Sequence, residues 1–162
     1  MRASRSAAMK AAPAPPGRSD RPVDSSPLQG LVGYAAKRAS MVMSDYFAQH
    51  LAPLRLRPVP FTLLSLIGAN PGITSTQLCS LLDIQSSNLV GLVKQLQGRG
   101  LILRQPHPED GRAHGLHLTA AGRALLIKAN ALVAQADREA TAQLTQAEVK
   151  KLLQLLGKIH GL

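Results

Sequence analysis

The sequence predicts a mainly α fold with a small β-hairpin, and three observations point there. Apolar residues recur at three- and four-residue steps along most of the chain. Serines and threonines stand at the starts of those stretches, where helix N-caps belong. One interval, residues 101–118, instead has two short apolar runs around a group of turn formers. The 162 residues are enough for one domain with a closed core.

Residues 1–27 hold five of the eleven prolines, Pro13, Pro15, Pro16, Pro22 and Pro27, among Ala, Ser, Arg and Gly without periodicity. A disordered basic tail is the expectation. An Arg- and Ser-rich, acid-poor start also suits a mitochondrial-type transit peptide, although prolines make a poor amphipathic helix. No apolar run of signal-peptide length follows Arg2, Arg5 and Lys10, and nothing approaches a membrane span, so a cytoplasmic protein is expected.

From Leu28 to Leu51 the apolar positions trace one face of a long helix, ended by Pro53 and Pro58. A shorter helix over Phe61–Ile67 follows, opened by Pro60 and stopped by Asn70-Pro71-Gly72. Thr74-Ser75-Thr76-Gln77 has the spacing of a capping box, which starts a third helix running to Leu82. After a break at Asp83–Gln85, Ser86 or Ser87 is expected to cap a fourth helix with the stripe Leu89, Leu92, Val93, Leu96. Two short helices across so brief a turn make a helix-turn-helix.

Gly98 and Gly100 end that helix. Leu101–Gln105 and Gly115–Leu118 then read as the two strands of a hairpin with a polar tip at Pro106–Arg112. Thr119 caps an Ala-rich helix to about Ala142, and a second capping box, Thr145 to Glu148, opens the last helix. The order is that of a winged helix-turn-helix, residues 58–118, flanked by helices 28–51 and 119–160. Helices so apolar at opposite chain ends have too little winged domain to cover them, which predicts a homodimer.

The formal net charge is +10, of which the tail supplies +3, five Lys or Arg against two Asp. A polyanionic partner is implied, nucleic acid first and an anionic membrane surface second. On the fourth helix the face away from the stripe carries Gln85, Ser87, Asn88, Gly91, Lys94 and Gln95. Short amides and hydroxyls, a glycine that permits close approach and one lysine suit base edges in a major groove, though they would also suit an ordinary solvated face. Thr74, Ser75 and Thr76 could hold a phosphate at a helix N-terminus or simply cap it. At the hairpin tip Asp110 could brace Arg112 for a narrow minor groove, or the two could form a surface ion pair.

The stretch Leu51–Leu126 resembles the multiple-antibiotic-resistance regulator (MarR) family of bacterial transcription factors. The likeness is carried by the Leu63-Leu64 to Gly72 helix and turn and by the Leu89–Gly100 reader ending in L-Q-G-R-G-L-I. It is carried above all by D-G-R-A-H-G-L-H-L-T-A-A-G-R, where an Asp and an Arg two apart precede a strand and L-T-x-x-G. The resemblance implies a homodimer that binds a pseudo-palindromic operator on double-stranded DNA and represses nearby genes. It also implies small aromatic acids or phenols bound between the dimer helices and the winged domain.

The only four aromatics, Tyr34, Tyr46, Phe47 and Phe61, fall where the family's ligand cleft would be lined. With Arg38 or His50 pairing a carboxylate they could hold a small aromatic acid or its thioester as effector; packing by the only large side chains is the alternative. Cys79, alone and between leucines, is expected to fill core. His114 and His117 sit on opposite strand faces, so no metal is expected. Glu109 with Asp110 lies in a turn without a pocket, and no phosphate-binding glycine loop or nucleophile elbow occurs. No catalytic residue and no cofactor is therefore expected. Against the ligand-responsive repressor stand a basic architectural or RNA-associated module without an effector, and a small enzyme built on Glu109, Asp110 and histidines.

Overall fold

The computed structural model describes residues 24–106 and 114–161. The tail to residue 23 and the hairpin tip with His107, Glu109, Asp110 and Arg112 lie outside the described residues.

A 3-10 turn at Ser26–Leu28 leads into α1, Val32–Leu51, which begins four residues later than the apolar pattern suggests. Pro27 sits in that turn, and the extended Leu31 restarts the chain as the cap of α1. A second 3-10 turn, Ala52–Leu54, ends at Arg55 in the left-handed region (φ 49°). Helix α2 runs Pro58–Ala69, three residues earlier than expected. Both Pro58 and Pro60 fall within its first turn, where the missing N–H has no helical partner to lose.

A two-residue strand β1, Ile73–Thr74, precedes α3, Ser75–Leu82, and α4, Ser86–Gly98. The wing is β2, Ile102–Pro106, and β3, His114–Leu118. The three strands form an antiparallel sheet in the order β1-β3-β2, so the expected two-stranded hairpin is a three-stranded sheet. Ile73 pairs with Leu116 and Leu103 with His117. The approach of β1 to β3 depends on Gly115, where a Cβ would stand 2.8 Å from the backbone of Gly72. Gly72 itself has φ +91° and donates to the Leu116 carbonyl at 2.9 Å.

Helix α5, Ala120–Ala140, packs along α1, and α6, Gln146–His160, ends at Gly161 with φ +76°. The core is aliphatic: Leu63, Leu64 and Ile67 of α2, Leu78 of α3, and Leu89, Val93 and Leu96 of α4 close on Leu116 of β3. Phe47, Phe61 and Cys79 pack against its edge, half-buried.

The flanking helices are covered much less. In the 20 residues of α1 only Leu51 is buried, and α6 buries none of its described residues. Val32 is 68% exposed, Leu153 66% and Ile159 68%. Apolar faces of this size are stable in water when another chain covers them. No described helix is long and apolar enough to cross a membrane.

Candidate nucleic-acid interface

The helix-turn-helix is set by local chemistry. Thr74 Oγ1 accepts from the Gln77 N–H at 3.3 Å, and Gln77 Oε1 accepts from the Thr74 N–H at 2.8 Å, which completes the expected capping box. Thr74 also donates its one hydroxyl hydrogen to Gln77 Oε1 at 3.0 Å. That donor is spent within the protein, so a phosphate at this helix end is left to Ser75, half-buried, and Thr76, exposed.

Asp83, in the left-handed region (φ 49°), ends α3 and turns the chain. Gln85 caps α4 with an extended backbone and no side-chain bond, its carbonyl accepting from Asn88 and Leu89 at 3.0 and 3.1 Å. The expected cap at Ser86 or Ser87 is therefore corrected: both are already helical, and their hydroxyls are not used as caps.

Leu89, Val93 and Leu96 are buried, while Gln85, Ser87, Asn88, Gly91, Lys94 and Gln95 are all exposed. At 100° per residue Ser87, Gly91 and Lys94 lie opposite the buried stripe, with Asn88 and Val90 at the two margins. A Cβ added at Gly91 would meet nothing within 4 Å, so this face is open. Val90, 39% exposed, is a member of the face that periodicity missed. It falls one residue off the apolar stripe, the available signal, and is suited to a thymine methyl. Arg104, exposed on β2, is a second missed residue and a cation.

The string L-T-A-A-G-R proves to be a joint. Thr119 Oγ1 donates to the Gly100 carbonyl at 2.7 Å and accepts from the Gly122 N–H at 3.0 Å, while the Thr119 N–H donates to the Leu101 carbonyl at 3.0 Å. Arg123 Nη1 donates to the Leu118 carbonyl at 2.9 Å. A Cβ on Gly122 would stand 2.0 Å from the Leu101 oxygen. The start of α5 is thereby pinned to the point where α4 ends and β2 begins.

The six residues expected to line an effector site do not converge within one chain. Tyr34, Arg38, Tyr46, Phe47 and His50 all lie on α1, and Tyr34 is about 24 Å from His50 along the axis at 1.5 Å per residue. Phe61 is on α2. His50 is already engaged: its Nδ1 lies 2.9 Å from the Tyr46 carbonyl and its Nε2 3.2 Å from Glu139 Oε2 on α5. The hydrogen bond from Gln135, followed by that from His50, holds the Glu139 carboxyl below its ordinary value. Arg38 is exposed. Among the described residues no three His, Cys, Asp or Glu group together as a metal site, and His114 and His117 stand on opposite strand faces.

A model of the MarR family matches residues 56–113. The transcriptional repressor Rv2887 of Mycobacterium tuberculosis is 31% identical over 129 residues, 78% of this chain and 93% of that protein. The transcriptional repressor CouR, solved on a 23-mer DNA duplex, is 37% identical with a TM-score of 0.79, covering 86% of this chain and 99% of that one. Rv2887 in complex with salicylic acid matches at a TM-score of 0.69 and 27% identity, covering 81% and 97%.

Proposed function

The chain belongs to the MarR family of winged-helix regulators, and from that premise we propose that it is a homodimeric, sequence-specific transcriptional repressor of nearby genes released by a small aromatic anion. The observation that carries the proposal is α4: its apolar stripe is buried and its polar face is left open. In this reading Gln85, Ser87, Asn88, Gly91 and Lys94 read base edges in the major groove. Ser75 and Thr76 hold a backbone phosphate at the start of α3, with Thr74 fixing that helix end. Arg112, braced by Asp110, follows the minor groove. Residues 58–118 bind DNA, and helices 28–51 and 119–160 form the dimer.

The uncovered faces of α1 and α6 support the dimer, and CouR, similar over nearly its whole length, was solved on DNA. A second chain is the remaining route by which these aromatic residues share one site, since they do not converge within one chain. The salicylic acid complex of Rv2887 supports an aromatic carboxylate as effector, with Arg38 as its partner because His50 already holds Glu139. A thioester of such an acid presents the same ring. The protein acts in the cytoplasm and is a regulator rather than an enzyme, as its matched relatives are regulators.

The test is an anisotropy titration of operator DNA with and without saturating salicylate or a hydroxycinnamate. Tight binding that weakens roughly 5- to 150-fold with ligand fits the reading. Operator affinity that no aromatic acid changes removes the effector from it, and an absence of preference for the operator removes the repressor.

A further inference from the structure

Between the end of α1 and the last turn of α4 lies a cavity of about 390 Å³. Ala48 of α1 and Ala52 of the 3-10 turn line it on one side, Gln95 of α4 and its C-cap Arg99 on another, and Arg55 and Arg57 on the connection. The buried Leu56 and Pro60 supply apolar surface. This volume falls within the range of small-molecule sites. None of the aromatic positions of α1 lines it, so it is a separate place in the fold.

Three of its lining residues are arginines and none is acidic. Among the described residues no carboxylate lies within ion-pair distance of any of the three. Arg99 is held rigidly: Nη1 donates to the Arg55 carbonyl at 2.7 Å and Nη2 to the Leu54 carbonyl at 3.1 Å. The rest of its five N–H donors remain for another partner. Arg55, which supplies one of those carbonyls, has φ 49° without being glycine. Such local strain gathers at ligand sites. Three guanidinium groups around one concavity repel each other, and an anion relieves that repulsion while matching their paired donors.

We propose that this cavity binds a small polyanion, one bearing a phosphate or several carboxylates next to an apolar body. Duplex DNA fits less well, because the site is concave and Arg99 lies about 16 Å along α4 from Asn88, away from the reading end. A ligand here would touch both α1 and α4 and so bear on the angle between the dimer helix and the reader. That consequence rests on the ligand-responsive reading above, whereas the binding itself does not.

The test is calorimetry with pyrophosphate at constant ionic strength on the full chain. The variants are Arg55→Gln with Arg57→Gln, and Arg18→Gln with Arg21→Gln as a control of equal charge in the N-terminal tail. Wild type and control should bind alike, and the arginine pair variant should lose about tenfold or more. Neither Arg55 nor Arg57 lends a side chain to a described hydrogen bond, so both variants should fold, as circular dichroism will report. Absence of saturable wild-type binding at millimolar pyrophosphate, or equal loss in the control, overturns the site. So does a variant that binds DNA more weakly while wild type ignores pyrophosphate, since the arginines then serve the duplex. Operator affinity is read separately in saturating pyrophosphate: a site that binds without changing it stands, and only its link to α4 fails.

Discussion

Replacing Gly122 by alanine should damage the protein more than its single methyl suggests. The new Cβ would stand 2.0 Å from the Leu101 oxygen and 3.0 Å from its carbonyl carbon. Real Cβ contacts essentially never fall below 3.0 Å, so the first turn of α5 must withdraw by about 1 Å. The obstacle is backbone, and no side-chain rotation relieves it. Withdrawal also stretches the bonds of Thr119 to Gly100 and Leu101, now 2.7 and 3.0 Å. Overpacking of this kind costs roughly 1–3 kcal/mol, and weakening two hydrogen bonds adds about 1 kcal/mol, for a total of about 3 kcal/mol. In a chain of this size that lowers the melting temperature by about 10 °C at fixed protomer concentration. Thermal unfolding followed by far-UV circular dichroism measures it. A Gly122→Ala protein that melts within about 2 °C of wild type would refute the joint as described.

Three further outcomes follow from the same geometry. Gly91→Ala has open space around its Cβ, so it should stabilise α4 by about 0.5–1 kcal/mol while weakening operator binding about tenfold, a split visible by pairing melting curves with anisotropy. Asn88→Ala should cost about 1–3 kcal/mol on the operator and much less on scrambled duplex; equal losses on both would show that Asn88 carries no base information. The Glu148 carboxyl is held below its ordinary value by the Thr145 backbone N–H and then its hydroxyl. Its contribution is therefore present at neutral pH and fades as pH falls through that lowered value. The melting-temperature gap between wild type and Glu148→Gln should accordingly close in acid, and a gap independent of pH would contradict the assignment.

What the sequence made legible was local. The capping boxes at Thr74 and Thr145 are four-residue devices, and the stripe of α4 repeats every three or four residues, so both could be read without knowing the fold. Strand β1 could not: two residues show no alternation, and Ile73–Thr74 is a strand only because β3 lies beside it. The cap of α4 lies at Gln85, two residues after Asp83 turns the chain in the left-handed region, a backbone property that Ser86 and Ser87 do not report. Closeness in sequence also misled at the aromatics, since Tyr34 and Tyr46 share a helix yet stand about 18 Å apart along it. Conversely, Arg99 meets the Arg55 carbonyl across 44 residues, and nothing local to either position signals the other. The wing signature divides in the same way: its Leu118–Arg123 half holds α5 to the winged domain, and Thr119 and Gly122 are needed there for packing whatever the DNA sequence.

The claim that the whole account depends on is that α4 reads a symmetric DNA sequence on behalf of a dimer. Selection of bound duplexes from a random library by the full-length protein, at fixed salt, tests it without assuming an operator. The account predicts enrichment of one inverted repeat with half-sites about one helical turn apart, bound at least about a thousandfold more tightly than its scrambled counterpart. Recovery of duplexes with no common sequence, bound equally well and only through charge, would contradict it and leave a basic architectural module in its place.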